Sequence, residues 1–311
     1  MVKNFGKKLN GRKDSRNILA VRNDRFGEFL LNIPVFRALK ESFPGARLTL
    51  AVSPAVKELA ECIECADQVV IWDDDYRKNL RKQKFDACII LNPAKEAHWA
   101  VFRAGVPKRV GYNRKWGILL THKMQDNKGL GLKHEVECNL DLVGLIGAKT
   151  GDKTIRLGKL PKYNKSEYLG AIAVHPFTSD TLKQWPIDRF KQLIKHLCEE
   201  TGVKVLVVGR DEIIGREYFD NLSSNVINLI NETSLVELAQ IIKQCRLLVT
   251  CDSGPMHLAA AVGIPVVALF RNDLPGKTSK RWGPWGKGHI VIEKNNLLSI
   301  TVDEVLEQVK I

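Results

Sequence analysis

The sequence predicts an α/β protein built from two doubly wound Rossmann-like domains that face each other across a central cleft. The chain has 311 residues, which is about twice the usual size of one domain. Short runs of Val, Ile and Leu alternate with amphipathic segments in both halves, and this alternation is typical of parallel strands covered by helices on both faces. Ligands of such folds bind at the carboxyl ends of the strands. We therefore expect a binding cleft between the two sheets.

Five strands are predicted in the first half, with amphipathic segments between them. They are Asn17 to Arg22, Arg47 to Ser53, Gln68 to Trp72, Asp86 to Leu91 and Arg109 to Tyr112. Residues 28–42 carry apolar side chains at helical spacing. Pro34 lies inside this segment, so it must either kink the helix or divide it.

Residues 113–133 show no periodicity and carry many cations, among them Arg114, Lys115 and Lys123. Long irregular loops inside compact domains are usually functional or disordered. We predict a long basic loop here, and both a functional loop and a solvated one remain open.

The second half repeats the strand and helix pattern after a polar stretch at residues 158–166. Its predicted strands are Ala171 to His175, Val203 to Gly209, Val226 to Leu229, Leu247 to Thr250 and Pro265 to Phe270. The predicted organisation is a basic arm at residues 1–16, a first domain at residues 17–165 and a second domain at residues 166–311. Whether the last helix packs back on the first domain stays open.

The formal net charge of +13 implies an anionic partner, which can be a nucleic acid, a phosphorylated substrate or a lipid surface. Beyond the basic arm the cations are dispersed along the chain. No nucleic-acid-binding motif lies beside them. We therefore expect no nucleic-acid partner.

Seven cysteines, an odd number, mostly lie within apolar strand or helix patterns, which fits reduced thiols. Cys62 and Cys65 form a lone CxxC, and without a second pair of ligands they are interpreted as structural rather than as a zinc site. The longest uncharged apolar run, Leu258 to Phe270, is too short to cross a bilayer. No export signal is visible, so a cytoplasmic location is expected.

The sharpest local feature is the run Thr-Cys-Asp-Ser-Gly-Pro-Met-His at residues 250–257, between a buried strand and an Ala-rich helix. Ser253 or Gly254 can cap the helix while Pro255 occupies its first turn. The free amides and the positive end of the helix dipole would then hold a diphosphate in the cleft. Asp252 and His257 either face the same cleft or serve as a helix cap and a packed histidine.

A second polar loop, residues 175–186, also follows a strand and precedes a helix. Lys183 can place its ammonium on a donor phosphate, and Thr178 or Ser179 can add a hydroxyl. A solvated Lys183 is the alternative. Trp185 is expected to fix how the helix begins.

The third feature is the run Arg-Asn-Asp-Arg-Phe-Gly-Glu at residues 22–28, after the first strand. It has no GxGxxG pattern, which argues against an NAD-dependent dehydrogenase. Glu28 either stabilises a helix dipole or takes a proton from an acceptor hydroxyl. No nucleophile elbow, Walker loop or HExxH site occurs in the chain. The aspartates at residues 73–75 are interpreted as a solvated turn, so neither a metal nor a cofactor is expected.

These three loops, in this order and spacing, resemble the heptosyltransferases of bacterial lipopolysaccharide core synthesis, glycosyltransferase family 9. The resemblance covers nearly the whole chain. Its motifs are RxDxxG at Arg22 to Gly27, KxWPxxxF at Lys183 to Phe190, Thr233-Ser234-Leu235, and DSGPMHLAAAxGxPxxALF at Asp252 to Phe270. The family implies a GT-B fold and an inverting, metal-independent transfer, usually from ADP-heptose to a growing lipid-linked core.

The resemblance also implies roles for individual residues on the donor side and on the acceptor side. The diphosphate and sugar contacts would be Asp252, Ser253, Gly254 and His257, and the phosphate contacts would be Lys183 with Thr178 or Ser179. Asp211 or Glu212 resembles the acidic group near the nucleoside ribose. The acceptor contacts would be Arg25, Arg114 and Lys115.

The chain departs from the family pattern at two positions. Family members generally have Gly-Asp after the first strand, with that Asp as the proposed base, whereas this chain has Gly27 and Glu28. A Glu can do the same work, but catalytic geometry is sensitive to one methylene, so Asp24 is the reserve candidate. Arg271 stands where many members have a glycine after Phe270, and it is expected to influence the choice of donor.

The basic arm and the loop at residues 114–133 suit a phosphorylated, lipid-linked acceptor and the anionic inner face of a membrane. The enzyme would then lie peripherally on that membrane. Two alternatives remain open. One is a relative that uses another nucleotide sugar or glycan acceptor, and the other is a catalytically silent nucleotide-sugar-binding protein.

Overall fold

Each half of the chain forms a parallel six-stranded sheet in the computed structural model, which describes residues 16–163, 165–211 and 216–309. The first sheet contains β1 (Asn17–Arg22), β2 (Arg47–Val52), β3 (Gln68–Ile71), β4 (Ala87–Ile90), β5 (Lys108–Asn113) and β6 (His122–Gln125). The second contains β7 (Ile172–His175), β8 (Val205–Gly209), β9 (Val226–Ile230), β10 (Leu247–Cys251), β11 (Val266–Arg271) and β12 (Ile290–Lys294). The predicted fold class is confirmed.

Helices connect the strands in both halves. In the first half they are α1 (Phe26–Leu30), α2 (Ile33–Ser42), α3 (Lys57–Glu61), α4 (Asp74–Asn79), α5 (Lys95–Arg103) and α6 (Glu135–Gly144). In the second half they are α7 (Ile187–Thr201), α8 (Leu235–Ile242), α9 (Gly254–Ala261), α10 (Ser279–Trp282) and α11 (Val302–Val309). Pro34 divides the segment at residues 28–42 rather than kinking it, because it lies in the first turn of α2, where its missing N–H is tolerated.

The strand β1 shows how the first sheet is buried on both faces. Ile18 and Ala20 belong to one hydrophobic cluster, and Leu19 and Val21 belong to another, because successive side chains of a strand point to opposite faces. The first of these clusters continues into the second half of the chain, where it includes Ala173. A continuous apolar core therefore joins the two sheets and positions them relative to each other.

The two sheets have the same strand order. It is β3-β2-β1-β4-β5-β6 in the first sheet and β12-β11-β10-β7-β8-β9 in the second, which is the same order counted from the opposite edge. The neighbours β1 and β4, and likewise β7 and β10, are where the direction of the crossovers reverses. A crevice forms at such a switch point, outside the carboxyl ends of the strands. The loops after β1, β7 and β10 are thus placed to bind ligands.

The sequence prediction missed two of the four edge strands, β6 and β12. Residues 113–133, expected to be an irregular basic loop, contain β6 and two short 3₁₀ turns. The sequence of β6 is His-Lys-Met-Gln, and its residues are alternately exposed. A strand at the edge of a sheet does not need the apolar run that marks an inner strand. β12 was missed for the same reason, because it is only partly buried and ends in Glu293 and Lys294.

The last helix, α11, packs against α7. Its residues Val305, Leu306 and Val309 belong to the apolar cluster on one face of the second sheet. The described part of the helix is therefore packed within the second half.

A clasp between residues 128–135 and residues 276–285 also joins the two halves. Glu135 is buried and accepts hydrogen bonds from Lys128 Nζ at 2.7 Å and from Arg281 Nη2 at 3.0 Å. Burial acts to raise the pKa of Glu135, but the neighbouring cations hold it below its ordinary value. The ring nitrogen Nε2 of His134 lies 3.0 Å from the carbonyl oxygen of Gly283. The clasp thus ties α6 of the first half to the segment around α10 of the second.

Candidate active site

Polar residues that follow β1, β7, β8 and β10 line one cleft between the two halves. The cleft has a volume of about 1270 Å³. The loop after β1 contributes to the wall on the first half, and the loops after β7, β8 and β10 contribute to the facing wall. Both walls therefore lie at the carboxyl ends of the strands, where ligands of this architecture bind.

The structure brings most of the predicted site residues together in this cleft. The cleft residues from the first half are Asp24, Arg25 and Glu28, and those from the second half are Thr178, Ser179, Lys183, Asp211, Asp252, Ser253, Gly254 and His257. Glu212 lies outside the described residues. Arg114 and Lys115 are exposed and do not line the cleft.

Lys183 and Asp252 form an ion pair in the wall of the second half, with 2.5 Å between Lys183 Nζ and the nearer carboxylate oxygen. Lys183 ends a 3₁₀ turn that Asp180 caps, and Asp252 directly follows β10. Burial raises the pKa of Asp252, and Lys183 opposes that rise. Lys183 is therefore a paired, largely buried cation at the cleft wall and not a solvated one.

The helix α9 begins where the sequence predicts, directly after β10. Ser253 occupies the N-cap position, but its side chain does not cap the helix. Its hydroxyl lies instead 2.9 Å from Thr250 Oγ1 and 3.3 Å from His175 Nδ1. Because the N-cap side chain is held in this buried network, the first-turn amides of α9 can bind an anion in the cleft.

Two buried histidines border the start of α9. Burial lowers the pKa of His175 to about 4 and is also the main cause that lowers the pKa of His257 to about 3. Both imidazoles are therefore neutral at pH 7. The ring nitrogen Nδ1 of His257 is buried and has no hydrogen-bond partner within the described part of the chain. His257 lines the cleft, so its neutral imidazole is a candidate contact for a polar ligand.

Two carboxylates lie on the facing wall, in different surroundings. Asp24 accepts a hydrogen bond from Nε of the buried Arg22 at 2.7 Å, and Arg22 also donates to the carbonyl oxygen of Leu91 at 3.0 Å. Glu28, in the first turn of α1, is 21% exposed and lies 3.8 Å from Arg25 Nε. Burial raises the pKa of Glu28, which makes its carboxylate a stronger base. Glu28 thus has the environment of a general base, whereas Asp24 is fixed by Arg22.

The two walls approach each other closely where α1 and α9 begin. A Cβ added at Gly27 would lie 3.0 Å from the Cα of Gly254 and 3.1 Å from Cδ2 of His257. Arg25 Nη1 lies 3.4 Å from the hydroxyl oxygen of Ser179 on the opposite wall. Gly27, the last residue of the RxDxxG motif, therefore allows the two walls of the cleft to approach each other closely.

Several polar or aromatic cleft residues were missed by the sequence prediction. They are Arg210, Lys277, Arg281 and Trp282. Arg210 directly follows β8, so its place at the carboxyl end of a strand was a usable signal. The other three come from the segment after β11, where Arg281 and Trp282 lie in the four-residue helix α10, which is too short for a periodic pattern to mark it. Lys277 Nζ lies 3.4 Å from Asp180 on the neighbouring loop.

Arg271 does not line the cleft. It pairs with Asp273, and its Nη1 donates to the carbonyl oxygen of Leu182 at 2.8 Å. Arg271 therefore braces the loop that carries Lys183. Any influence on the choice of donor would act through that loop.

Two features, a cluster of metal ligands and a membrane-spanning helix, are missing from the described residues. Within them no group of three or more His, Cys, Asp or Glu side chains can hold a metal ion. Over the same ranges, none of the helices has the length and apolar character of a membrane span. The cysteines are all free, and burial raises the pKa of Cys65 to about 11, so this thiol is a weak nucleophile at neutral pH.

Paired doubly wound domains with a cleft between their carboxyl edges form the GT-B fold, which this chain shares with solved heptosyltransferases. The chain belongs to glycosyltransferase family 9 (heptosyltransferase), whose family model matches residues 75–305. The resemblance drawn from the sequence motifs is confirmed.

Curated and solved relatives match nearly end to end. The lipooligosaccharide heptosyltransferase 2 of Haemophilus influenzae is 25% identical over 303 residues, which cover 86% of this chain and 85% of that protein. Among solved structures, the ADP-heptose lipopolysaccharide heptosyltransferase II of Escherichia coli has a TM-score of 0.80 at 21% identity and covers 94% of this chain and 97% of its own. The E. coli heptosyltransferase WaaC with ADP has a TM-score of 0.75 at 18% identity, with 94% and 99% covered.

Proposed function

We propose that this glycosyltransferase moves a heptose from ADP-heptose to the inner core of lipopolysaccharide, with inversion at the anomeric carbon and without a metal or other cofactor. The observation that carries the proposal is a single cleft with the half-buried carboxylate of Glu28 on one wall and the Lys183–Asp252 pair with the start of α9 on the other. The relatives named as heptosyltransferases support the sugar and the core acceptor. The solved relative with ADP supports the nucleotide.

In the proposed reaction Glu28 removes the proton of an acceptor hydroxyl. The oxygen then attacks the anomeric carbon of the donor from the face opposite the diphosphate, and a new C–O bond forms. The bond between the anomeric carbon and the diphosphate oxygen breaks, and ADP leaves with the electron pair. The two groups act on opposite sides of the sugar, which suits the facing walls of the cleft and gives inversion.

The developing charge on the departing diphosphate would be stabilised from the second wall. Lys183 and the first-turn amides of α9 are preorganised there, Lys183 by its pair with Asp252 and the helix start by the buried hydroxyl network. Donors that are fixed before the reaction need no reorganisation as charge develops. Thr178 and Ser179 are proposed to add hydroxyl contacts, and His257 is proposed to bind the sugar or diphosphate.

The nucleoside is proposed to lie near Asp211. The backbone of this residue is fixed, because its N–H donates to Asn231 Oδ1 at 3.0 Å and its carbonyl oxygen accepts from Asn231 Nδ2 at 2.8 Å. Arg210, next to it, offers a cation to the same part of the cleft. The carboxylate carried by this fixed backbone is proposed to accept hydrogen bonds from ribose hydroxyls.

The acceptor is proposed to be a lipid-linked, phosphorylated glycan that approaches from the side of the first half. Arg25 is exposed beside Glu28 and can bind an acceptor phosphate. Arg114 and Lys115 stay predicted acceptor contacts. They lie on the loop after β5, outside the cleft, so they would bind parts of the acceptor distant from the reacting hydroxyl.

The nucleotide is tested by calorimetric titration of the full chain with ADP, UDP, GDP and CDP. We expect selective binding of ADP, weakened at least about tenfold in Asp252→Ala, because the variant leaves Lys183 without its partner. Preference for another nucleotide would keep the enzyme class and replace the donor. If none of the four nucleotides bound, the transferase proposal would fail.

The base is tested by Glu28→Gln beside Asp24→Asn, with turnover of ADP-heptose and nucleotide binding measured for both. General-base catalysis contributes about 10²–10⁴-fold to rate, so we expect Glu28→Gln to lose activity by that factor while ADP binding is unchanged. Full activity in Glu28→Gln and its loss in a folded Asp24→Asn would make Asp24 the base. Binding without turnover in the unmodified chain would identify a silent nucleotide-sugar-binding protein.

A further inference from the structure

An aromatic stripe crosses the outer surface of the first half, on α5 and on the 3₁₀ turn at residues 117–119 that packs against it. Trp99 lies between two neighbours, with ring centroids 6.2 Å from Trp116 and 6.1 Å from Phe102. Phe102 is 45% exposed, and Ile118, two residues beyond Trp116, is 84% exposed. The stripe thus presents aromatic and aliphatic side chains to solvent outside the cleft.

Cations surround these rings. Lys95 and Lys115 place their ammonium groups 5.3 Å and 5.7 Å from the centroid of Trp116. The guanidinium of Arg103 lies 5.5 Å from the centroid of Trp99, and that of Arg109 lies 5.5 Å from Phe102. Glu96 is an exposed acidic residue on the same helix, so the surface keeps a clear excess of positive charge.

We propose that this surface, made by Trp99, Phe102, Trp116 and Ile118 with Lys95, Arg103, Arg109 and Lys115, docks on an anionic lipid bilayer. It is called the membrane face below. Aromatic rings with an apolar body prefer the headgroup region, and a ring of cations complements anionic headgroups. Long Lys and Arg side chains can lay their stems along the rings and keep their charges at the lipid phosphates.

The position of the membrane face agrees with a lipid-linked acceptor. Lys95 begins α5, the helix after β4, and Lys115 lies in the loop after β5; β4 is the direct neighbour of β1. Strands lie about 4.8 Å apart, so the carboxyl ends of β1 and β5 are about 10 Å apart along the edge of the sheet. Asn92, after β4, also donates to Asn23 Oδ1, after β1, at 2.7 Å. The loop with Asp24 and the part of the membrane face that carries Lys95 and Lys115 thus lie at the same edge of the sheet.

This inference deepens the proposed function, on which it rests for the lipid-linked acceptor, and it adds the part of the surface that meets the lipid. An acceptor anchored in the bilayer would reach Glu28 without leaving the membrane. Residues 1–15 of the basic arm lie outside the described residues, and the whole arm is present in every variant considered below.

The test is co-sedimentation of the full chain with vesicles of phosphatidylcholine and phosphatidylglycerol in equal amounts, beside vesicles of phosphatidylcholine alone. We expect binding to the mixed vesicles and about tenfold weaker binding in Phe102→Ser/Ile118→Ser, since each exposed apolar side chain adds membrane burial. Leu169→Ser, at an apolar residue of the second half that is 75% exposed, is the matched control and should bind as the unmodified chain does. Lys95→Gln/Lys115→Gln should weaken binding about fivefold for each charge removed.

A second readout follows the aromatic rings themselves. Brominated lipids should quench the fluorescence of the unmodified chain, and Trp99→Phe/Trp116→Phe should lose that quenching. Trp185→Phe should keep it, because Trp185 is buried beneath the second sheet. Unchanged quenching in the double variant would place the lipid contact elsewhere.

Three outcomes would overturn the membrane face. They are equal vesicle binding by Phe102→Ser/Ile118→Ser and Leu169→Ser, equal binding to neutral and anionic vesicles, and no vesicle binding at all. Self-association that Phe102→Ser/Ile118→Ser abolishes would show instead that a second copy covers the stripe. ADP titration of the same variants keeps this test separate from the proposed function, because a failed donor site would abolish ADP binding in every one of them.

Discussion

A Cβ placed on Gly254 would lie 2.3 Å from the ring of Phe26. Gly254 opens α9 in the second half, and Phe26 opens α1 in the first. The proposed leaving-group site and the proposed base are therefore held together by a ring that packs directly on a glycine. This contact leaves no room for a side chain at the start of α9.

We predict that Gly254→Ala lowers kcat/KM about a hundredfold, because a displacement of the walls by about an ångström is enough for such a loss. Phe26→Ala in the same chain should restore part of the activity by removing the ring that the new methyl meets. Gly144→Ala is the control, since a Cβ there has no neighbour within 4 Å. Equal losses in Gly254→Ala and in the double variant would show that the clash with Phe26 is not the cause.

The Lys183–Asp252 pair predicts a strongly non-additive double-mutant cycle for ADP binding. Lys183→Ala and Asp252→Ala should each weaken binding at least about tenfold, because each leaves a largely buried charge without its partner. The double variant should bind little worse than either single variant, with a coupling energy of about 2 kcal/mol. Additive losses measured by calorimetry would mean that the two residues contact the donor independently.

The sequence was sufficient to predict the inner strands, because their apolar runs reflect burial on both faces. In β4 every residue is buried, and the prediction there differed from the structure only at the strand ends. In β6 the residues alternate between exposed and half-buried, so the same rule could not find it. An edge strand is specified by its neighbour β5, with which it pairs in the structure, and a single-sequence pattern does not contain that neighbour.

The candidate site likewise contains residues that the sequence could predict and residues that it could not. Asp252, Lys183 and Glu28 were predictable because each stands shortly after a strand, at the end of the sheet where ligands bind. Asp24 and Arg22 are only two residues apart in the sequence. The guanidinium of Arg22, however, is also held by the carbonyl oxygen of Leu91, which is 69 residues away. Arg281 is held at the cleft by its pair with Glu135, which lies 146 residues away in the sequence. Tertiary contacts of that kind leave no periodicity in the sequence.

The two neutral histidines predict that the protein loses stability as the pH falls below 6.5. The unfolded chain binds a proton at each histidine near pH 6.5, whereas folded His175 binds it only near pH 4 and folded His257 only near pH 3. Between those values the unfolded state is favoured by about 1.4 kcal/mol per pH unit for each histidine. Urea unfolding at a series of pH values measures the slope.

His175→Asn should remove one of these two contributions while it keeps a polar partner near Thr250. The variant should therefore lose stability less steeply than the unmodified chain between pH 6 and about 4.5. Parallel curves for the two proteins over this range would show that His175 is not a buried neutral imidazole. The midpoint of urea unfolding at pH 7.5 serves as the reference for each protein, because His175 is largely neutral at that pH in both the folded and the unfolded state.

The pH dependence of catalysis should come from a raised pKa, that of Glu28, rather than from the lowered pKa values of the two histidines. Because burial raises the pKa of Glu28 above its ordinary value of 4.5, its carboxylate becomes protonated, and inactive as a base, at a higher pH than an exposed glutamate would. We predict an acid limb in kcat/KM whose midpoint lies above pH 4.5. Glu28→Gln should flatten that limb in its residual activity, and an unchanged limb would assign it to another group.

Glu135 is the carboxylate whose loss should most weaken the clasp between the two halves. Glu135 accepts from Lys128 of its own half and from Arg281 of the other, and all three side chains are largely buried. Glu135→Ala would leave two buried cations without a partner, which should destabilise the protein by about 3–5 kcal/mol in chemical denaturation.

Lys133→Ala is the matched control for the clasp. The variant removes the ion pair between Lys133, in the segment at residues 128–135, and Asp141 in α6. Both side chains are exposed, so the free energy of unfolding should hardly change. Arg281 also lines the cleft, and Glu135→Ala should therefore weaken ADP binding as well as stability. If Glu135→Ala unfolded no more easily than Lys133→Ala, the halves would be held together by the apolar core alone, and the buried ion pairs would not contribute to the closed cleft.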